Sequence, residues 1–264
     1  MDFLGISGLI LLGFAVGFII SLIGVSGSVF VVPILLLFYP TTIYSAIGTS
    51  LLVDMIGASV VSFSFYRKKQ VDLSTSFLLI VSALVGSQIG VLIAVNTGEA
   101  SLSSAVCFIF IGIGALILLR TFRKPENDNN SLISRRFDFE SERQKQIIIL
   151  VIGLFIGLMS GIFGAGGGMM IIFVLLLIFQ YPPHTAIGTA TAIMAIIALS
   201  GAVGYSIQGY VNLEYGIIIG LGAIFSGSIG SIFARKLDEK SLMITMGSVF
   251  ILVGIFTLIL LTIL

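Results

Sequence analysis

Long apolar stretches follow one another along the chain, separated by short polar or glycine-rich gaps. They predict ten segments in two groups of five: 4–23, 28–38, 44–66, 73–95 and 102–120, then 146–163, 168–180, 185–208, 213–235 and 241–263. Several reach the roughly 20 residues that a helix rising about 1.5 Å per residue needs to cross the hydrocarbon layer. The pattern therefore predicts an all-α polytopic membrane protein.

A polar stretch separates the two groups of segments. Residues 123–145 contain Pro125, several asparagines and charges of both signs, a composition typical of a solvated linker. The predicted organisation is a first transmembrane repeat over 1–122, the linker over 123–145, and a second transmembrane repeat over 146–264.

The two groups match one another at a constant offset of 140 residues. The tetrapeptide Ala-Ile-Gly-Thr at 46–49 recurs at 186–189. Seven glycines of the first half also meet glycines of the second half at this offset: Gly13, Gly17, Gly24, Gly27, Gly48, Gly90 and Gly114. Apolar residues match easily by chance, but seven paired glycines without a gap indicate an internal repeat.

Composition agrees with a membrane protein and excludes several other classes. The 264 residues are 58% hydrophobic and 9% charged, which is far from the average of soluble proteins. The net charge is +1, and the basic residues form no stripe that would bind nucleic acid. With one cysteine, Cys107, and one histidine, His184, the chain offers no internal disulfide and no metal site, and no cofactor is expected.

Lysine and arginine predict the orientation, because they collect in cytoplasmic loops. Seven of the thirteen lie between residues 120 and 145, which places the linker in the cytoplasm and both termini outside. The other basic loops follow the third segment of the first half and the fourth segment of the second. That placement is what two inverted-topology repeats require. We expect a multi-pass protein of the plasma or inner membrane.

The second segment of each half is too short to cross the membrane. Its 11 to 13 residues make about 16 to 20 Å of helix, against a hydrocarbon core of about 30 Å. A glycine-rich break, 24–28 in one half and 164–168 in the other, precedes each short segment. Each half is thus predicted to contain a broken, re-entrant helical hairpin plus three spanning helices.

The two breaks are predicted to line a shared site for an anion. Each short helix begins at its break, so its unpaired N–H groups and positive dipole end face the interior. The candidate binding residues are Gly24, Ser26, Gly27, Ser28, Thr49, Ser50, Gly164, Gly166, Gly167, Gly168, Thr189 and Thr191. The alternatives are that the glycines only pack helices and that the hydroxyls bond back to their own helix.

Three other polar residues call for separate interpretations. Asp54 is the only acid well inside a predicted span, and an intramembrane carboxylate is a functional candidate, here for proton coupling. Its equivalent at the repeat offset is Met194, so any role is confined to the first half, and a local polar pairing is the alternative. His184, after two prolines, is predicted to be a solvated loop residue, and Gln88 is a weaker lining candidate.

These motifs resemble the sulfite exporter TauE/SafE family of membrane permeases over nearly the whole chain. Residues 164–168 fit the family pattern closely, whereas Ser26 and Ser28 stand where glycine is often found. The resemblance implies export or facilitated passage of sulfite, organosulfonates or similar small oxyanions, with the break residues lining the site.

The leading hypothesis is a secondary transporter that moves a small sulfur-containing anion by alternating access around the two breaks. An anion channel, or a permease for a different small solute, is the alternative. An enzyme is not expected, because one histidine, one cysteine and one deep carboxylate do not make a catalytic set. The expected partners are the small anion and the lipid bilayer, without nucleic acid, and a homo-oligomer is left open.

Overall fold

The computed structural model describes residues 3–73, 76–99, 101–102, 142–164, 167–177, 179, 181–234 and 236. Eight helices of ten or more residues lie in these ranges: α1 (Phe3–Ile23), α2 (Ser28–Phe38), α3 (Ile43–Tyr66), α4 (Phe77–Asn96), α5 (Glu142–Phe163), α6 (Gly168–Leu177), α7 (Pro183–Ile207) and α8 (Leu213–Ala234). The predicted segment 241–263, nearly all of 102–120 and most of the linker lie outside the described residues. Within them the all-α prediction is confirmed.

Six of the described helices are long and apolar enough to cross a membrane, namely α1, α3, α4, α5, α7 and α8. The other two, α2 and α6, have 11 and 10 residues and span only about half of a hydrocarbon core. Large apolar side chains such as Leu11 and Phe225, 69% and 62% exposed, cover the outside of the bundle. The described part of the chain is therefore a multi-pass helical membrane protein.

Two helices begin four residues away from their predicted starts. Helix α4 begins at Phe77 rather than at residue 73, because the preceding backbone bonds elsewhere: the Asp72 N–H donates to the Thr189 hydroxyl at 2.9 Å. Helix α5 begins at Glu142, four residues inside the predicted linker. Its extra residues are charged and polar but are good helix formers.

The predicted loop position of His184 is wrong. Helix α7 begins at Pro183, so His184 lies in its first turn and is partly buried. Proline is favourable at the first helical position, because its fixed φ suits the helix and its missing N–H would have had no partner there. Two consecutive prolines are typical of a loop, but here Pro182 is the residue before the helix and Pro183 is its first residue.

Helix α2 folds back along α1 and forms the first hairpin. The Tyr39 hydroxyl, just beyond the end of α2, donates to the Gly5 carbonyl at 2.7 Å. At the other end of the short helix, Gly27 lies against Val16 in the middle of α1. The 11 residues of α2 therefore accompany the first part of α1 from the level of Val16 back to the level of Gly5.

Helices α3 and α7 lie at the centre of the bundle and run antiparallel to each other. Gly48, near the start of α3, packs directly on the Tyr210 carbonyl just beyond α7. Gly188, its equivalent in α7, packs in the same way on the Gln70 carbonyl just beyond α3. Because the backbones approach so closely at these two points, only glycine fits at either position.

The first helix of each half packs in parallel along the fourth helix of the other half. In the α1–α8 pair Gly13 lies against the Ile219 carbonyl, and in the α5–α4 pair Gly153 lies against the Leu79 carbonyl. These two contacts are equivalent at the offset of 140 residues. Small residues let membrane helices approach closely, and here they join one half to the other.

Candidate functional site

The two glycine breaks meet inside the bundle. A methyl group added at Gly168, the first residue of α6, would lie 2.8 Å from the Gly24 carbonyl oxygen and 3.0 Å from the Ser26 nitrogen. Such distances are too short for a real Cβ atom, so the contact between the two breaks depends on glycine. The sequence analysis predicted that the two breaks share one site, and in the structure Gly168 lies against Gly24 and Ser26.

Each break also contacts the helix that carries the Ala-Ile-Gly-Thr motif of the opposite half. The Cβ position of Gly24 lies 3.5 Å from Ile187 of α7, and that of Gly164 lies 2.9 Å from Ile47 of α3. Both glycines have positive φ, +68° and +69°, a conformation that other residues rarely adopt. Chain reversal within the bundle thus requires glycine at both positions.

At the first break, a carboxylate from within the chain occupies the amino end of α2. The Gly27 N–H donates to Oδ1 of Asp54 at 2.9 Å, and the Ser26 hydroxyl donates to Oδ2. Asp54 is fully buried on α3. A negative charge is favourable at a helix amino end, so this arrangement can hold a buried carboxylate that has no basic partner among the described residues. The sequence did not place Asp54 at this break, although local polar pairing was an open alternative.

Ser28 completes this network. Its backbone N–H donates to the Ser26 hydroxyl oxygen at 3.2 Å, and the two hydroxyl oxygens are 2.8 Å apart. A hydroxyl has one proton to donate. Since Ser26 gives its proton to the Asp54 carboxylate, the Ser28 hydroxyl is the donor in the contact between the two serines. The first break is therefore a connected polar cluster of Ser26, Gly27, Ser28 and Asp54.

At the second break, the equivalent positions carry no acid. Met194 takes the place of Asp54, and its sulfur lies 2.6 Å from the Cβ position of Gly168. Gly167, equivalent to Gly27, has a φ of +69° and lies against Ile156 of α5. Gly166 lies outside the described residues. A neutral thioether thus stands beside the amino end of α6 where the first half has a carboxylate.

The hydroxyls of Thr49 and Thr189 join the two halves of the protein. Thr49 accepts the Asn212 N–H at 3.0 Å, and Thr189 accepts the Asp72 N–H at 2.9 Å. The two hydrogen bonds are equivalent at the repeat offset. Both threonines are fully buried, and each one ties its helix to the loop beyond the opposite central helix.

The other two hydroxyl candidates bond to their own helices. Ser50 donates to the Ile47 carbonyl at 2.8 Å, and its oxygen is also 3.4 Å from the Gly164 carbonyl of the second break. Thr191 donates to the Ile187 carbonyl at 2.9 Å. Of this pair, only Ser50 therefore reaches a break. Gln88 lies apart, on an exposed face, where its amide donates to the Ser200 carbonyl at 2.7 Å.

Three buried serines of the described residues, Ser76, Ser87 and Ser160, have hydroxyls without a hydrogen-bond partner, and the sequence analysis did not single them out. Ser160, on α5, and Ser87, on α4, are both 0% exposed, and neither hydroxyl has a hydrogen-bond partner. Ser160 follows Ile156 by one turn and precedes the second break by one turn. The sequence could have indicated Ser160 as a polar residue specific to the second half, because the equivalent residue of the first half is the apolar Ile20.

The chain is similar in sequence to proteins that are named as membrane transporters. A family model described as sulfite exporter TauE/SafE matches residues 9–257. The probable membrane transporter protein YunE of Bacillus subtilis is 29% identical over 258 residues, covering 93% of this chain and 94% of the relative. A probable membrane transporter protein of Methanocaldococcus jannaschii is 26% identical over 265 residues, covering 95% and 94%.

A plant relative carries the family description in its name. The sulfite exporter TauE/SafE family protein 6 of Arabidopsis thaliana is 31% identical over 121 residues, which is 46% of this chain and 27% of that protein. No solved structure gives a significant match to the chain.

Proposed function

The chain belongs to the sulfite exporter TauE/SafE family, and from this membership we propose that it is a secondary transporter that exports a small sulfur-containing anion such as sulfite or an organosulfonate. The observation that carries the proposal is the meeting of the two breaks, where Gly168 packs on the backbone of Gly24 and Ser26. Two short helices begin at this point within the bundle. The positive dipole ends of two helices thus come together within the bundle, and such ends favour an anion.

The buried carboxylate at the first break supports the choice of an anion. Asp54 is held there by one backbone N–H and one hydroxyl, and no basic side chain is recorded as its partner among the described residues. The same kinds of donor stabilise sulfite or sulfonate oxygens. The break region is therefore suited to negative charge, whether that charge belongs to the protein or to a solute.

We further propose that the two halves are inverted repeats that rock against each other in alternating access. The equivalent helices α3 and α7 run antiparallel, which supports the inversion. The Thr49 and Thr189 hydrogen bonds form at opposite ends of this central pair. Rocking about the breaks would loosen one end while the other stays closed, as alternating access requires.

The orientation and the coupling are parts of the same proposal. The linker over 123–145 faces the cytoplasm, both termini face outside, and the protein resides in the cell membrane, on the argument from basic residues. Asp54 couples export to protons, because its carboxylate shares the break region with the anion and would repel it less when protonated. The substrate-lining residues are those of the two breaks and the hydroxyls that follow them.

Uptake of radiolabelled sulfite and of a small sulfonate into proteoliposomes, with and without a pH gradient, tests the proposal. We expect saturable flux in the wild type and, in Gly168→Ala, a loss of about 10-fold or more, because displacing a site by about an ångström has effects of that size or larger. Gly98→Ala is the matched control, since nothing lies within 4 Å of its Cβ position. In Asp54→Asn the dependence on the gradient should disappear.

Three results would count against the proposal. Full activity of folded Gly168→Ala would remove the breaks from the transport site. Flux that rises linearly with anion concentration would favour a channel over a carrier. Absence of any flux of either anion in the wild type would refute the proposed substrate class.

A further inference from the structure

We infer that the transported anion binds at the amino end of α6, in the second half, with the Ser160 hydroxyl as one of its donors, and that the first break does not bind it. This inference rests on the proposed function and makes its site more specific. It replaces two equivalent candidate breaks by one.

The donors of the first break are already in use. The Gly27 N–H and the Ser26 hydroxyl both point at the Asp54 carboxylate, and the Ser28 N–H points at the Ser26 oxygen. A second anion at this point would have to displace these bonds or lie in direct contact with the Asp54 carboxylate. Repulsion between like charges is strong where water is excluded. The first break is therefore complete without a solute.

The second break also presents the amino end of a short helix, but without an internal anion. Met194 stands in the place of Asp54, and Gly168 stands in the place of Ser28. Among the described residues, no acidic side chain is hydrogen-bonded to Gly164, Gly167 or Gly168. The positive end of the α6 dipole is thus not compensated from within the described part of the protein.

Ser160 lies on the face of α5 that packs against this helix end. Its α5 neighbour Ile156 lies one turn earlier on the same face, and the Cγ2 atom of Ile156 is 2.5 Å from the Cβ position of Gly167. Side chains on a helix lean towards its amino end, so the Ser160 hydroxyl leans towards the level of Ile156 and hence towards Gly167. It is 0% exposed and has no hydrogen-bond partner.

An unpaired buried hydroxyl next to an uncompensated helix end is suited to a small oxyanion. Sulfite and sulfonates present several acceptor oxygens, so one oxygen can face the N–H groups of α6 while another accepts from Ser160. In the first half the residue equivalent to Ser160 is Ile20, which offers no donor. The second half alone therefore combines the helix end with a free side-chain donor.

Binding of radiolabelled sulfite to the purified full-length protein, together with flux in proteoliposomes, tests the inference. Ser160→Ala should weaken sulfite binding about 10-fold or more, the usual effect of losing a hydrogen bond to a charged group. Ser87→Ala is the matched control, because it removes another fully buried, unpaired hydroxyl that lies in α4. It should bind sulfite within about two-fold of the wild type, given that no bond is lost.

Ser160→Cys provides a second variant, since it keeps the size of the side chain but has a weaker donor. Its affinity should lie between those of the wild type and Ser160→Ala. Wild-type affinity in folded Ser160→Ala, or equal losses in Ser160→Ala and Ser87→Ala, would overturn the inference and leave the proposed function standing. If the wild type neither binds nor transports sulfite or sulfonate, the proposed function fails and this inference fails with it.

Discussion

The two breaks reverse the chain at equivalent glycines but differ in how the charge of their helix ends is compensated. Gly24 and Gly164 reverse the chain with nearly the same φ, and both pack on the central helix of the opposite half. At the first break a buried carboxylate, Asp54, accepts the available donors. At the second break the equivalent residue is Met194. The repeat therefore preserves the chain reversal at Gly24 and Gly164, whereas the residue before the short helix differs in backbone, with φ of −79° at Gly27 and +69° at Gly167, and the chemistry has diverged as well.

This difference separates the properties of the site that depend on the backbone from those that depend on side chains. The close approach of Gly168 to Gly24 requires glycine, whatever the neighbouring charge. Compensation of the helix end, by contrast, is decided by a single side chain on α3 or α7. One substitution should thus make the two halves chemically alike, and variants of this kind test the comparison directly.

The largest effect is expected when the second break receives its own carboxylate. Met194→Asp would place an acid beside the amino end of α6, as Asp54 is placed beside that of α2. The internal anion should compete with the solute, and sulfite flux in proteoliposomes should fall by about 100-fold or more, as for a like charge held close in a buried site. Met194→Asn is the control, because it has the same size without the charge. Equal flux in the two variants would contradict the charge argument.

An intermediate effect is expected when the first break loses its carboxylate. Asp54→Ala leaves the Gly27 N–H and the Ser26 hydroxyl buried without their acceptor, which should destabilise the protein by about 1–3 kcal/mol. The measurement is the midpoint of thermal unfolding in detergent. Asp54→Asn, which retains an acceptor oxygen, should lose less. An unchanged midpoint in Asp54→Ala would show that water or another group replaces the carboxylate.

The smallest effect is expected at the threonines, where the two halves remain alike. Thr49→Val and Thr189→Val each remove one hydroxyl that accepts a backbone N–H of the opposite half. Each should lower the unfolding free energy by about 0.5–1.5 kcal/mol, and by similar amounts. A large effect in one half and none in the other would mean that the divergence extends beyond the breaks.

Much of the fold could be predicted from the sequence, because its signals are local. Segment length, glycine clusters and the constant offset correctly located the helices from α1 to α8, including the two short ones. Boundaries were less accurate where tertiary contacts decide them. The start of α4 is one example, since the Asp72 N–H bonds to Thr189 of the other half instead of continuing the local helix.

The candidate site was only partly predictable, for the same reason. The breaks were visible as glycine clusters, and Asp54 as an acid inside an apolar span. The hydrogen bond between Gly27 and Asp54 links residues 27 positions apart, and no local pattern indicates such a pair. The unpaired state of Ser160 is likewise a property of packing. The binding roles of the residues at the breaks remain predictions.

The packing of the first helix of each half along the fourth helix of the other half also limits the order in which the protein can assemble during synthesis. Helices α4 and α5 follow one another among the described helices, so their contact can form once α5 has entered the membrane. Helix α1 must wait for α8, which begins only at Leu213. Until then the surface around Gly13 and Gly17 faces lipid or a temporary partner. Of the two equivalent contacts, one can therefore form midway through synthesis, whereas the other forms only after residue 213 has been made.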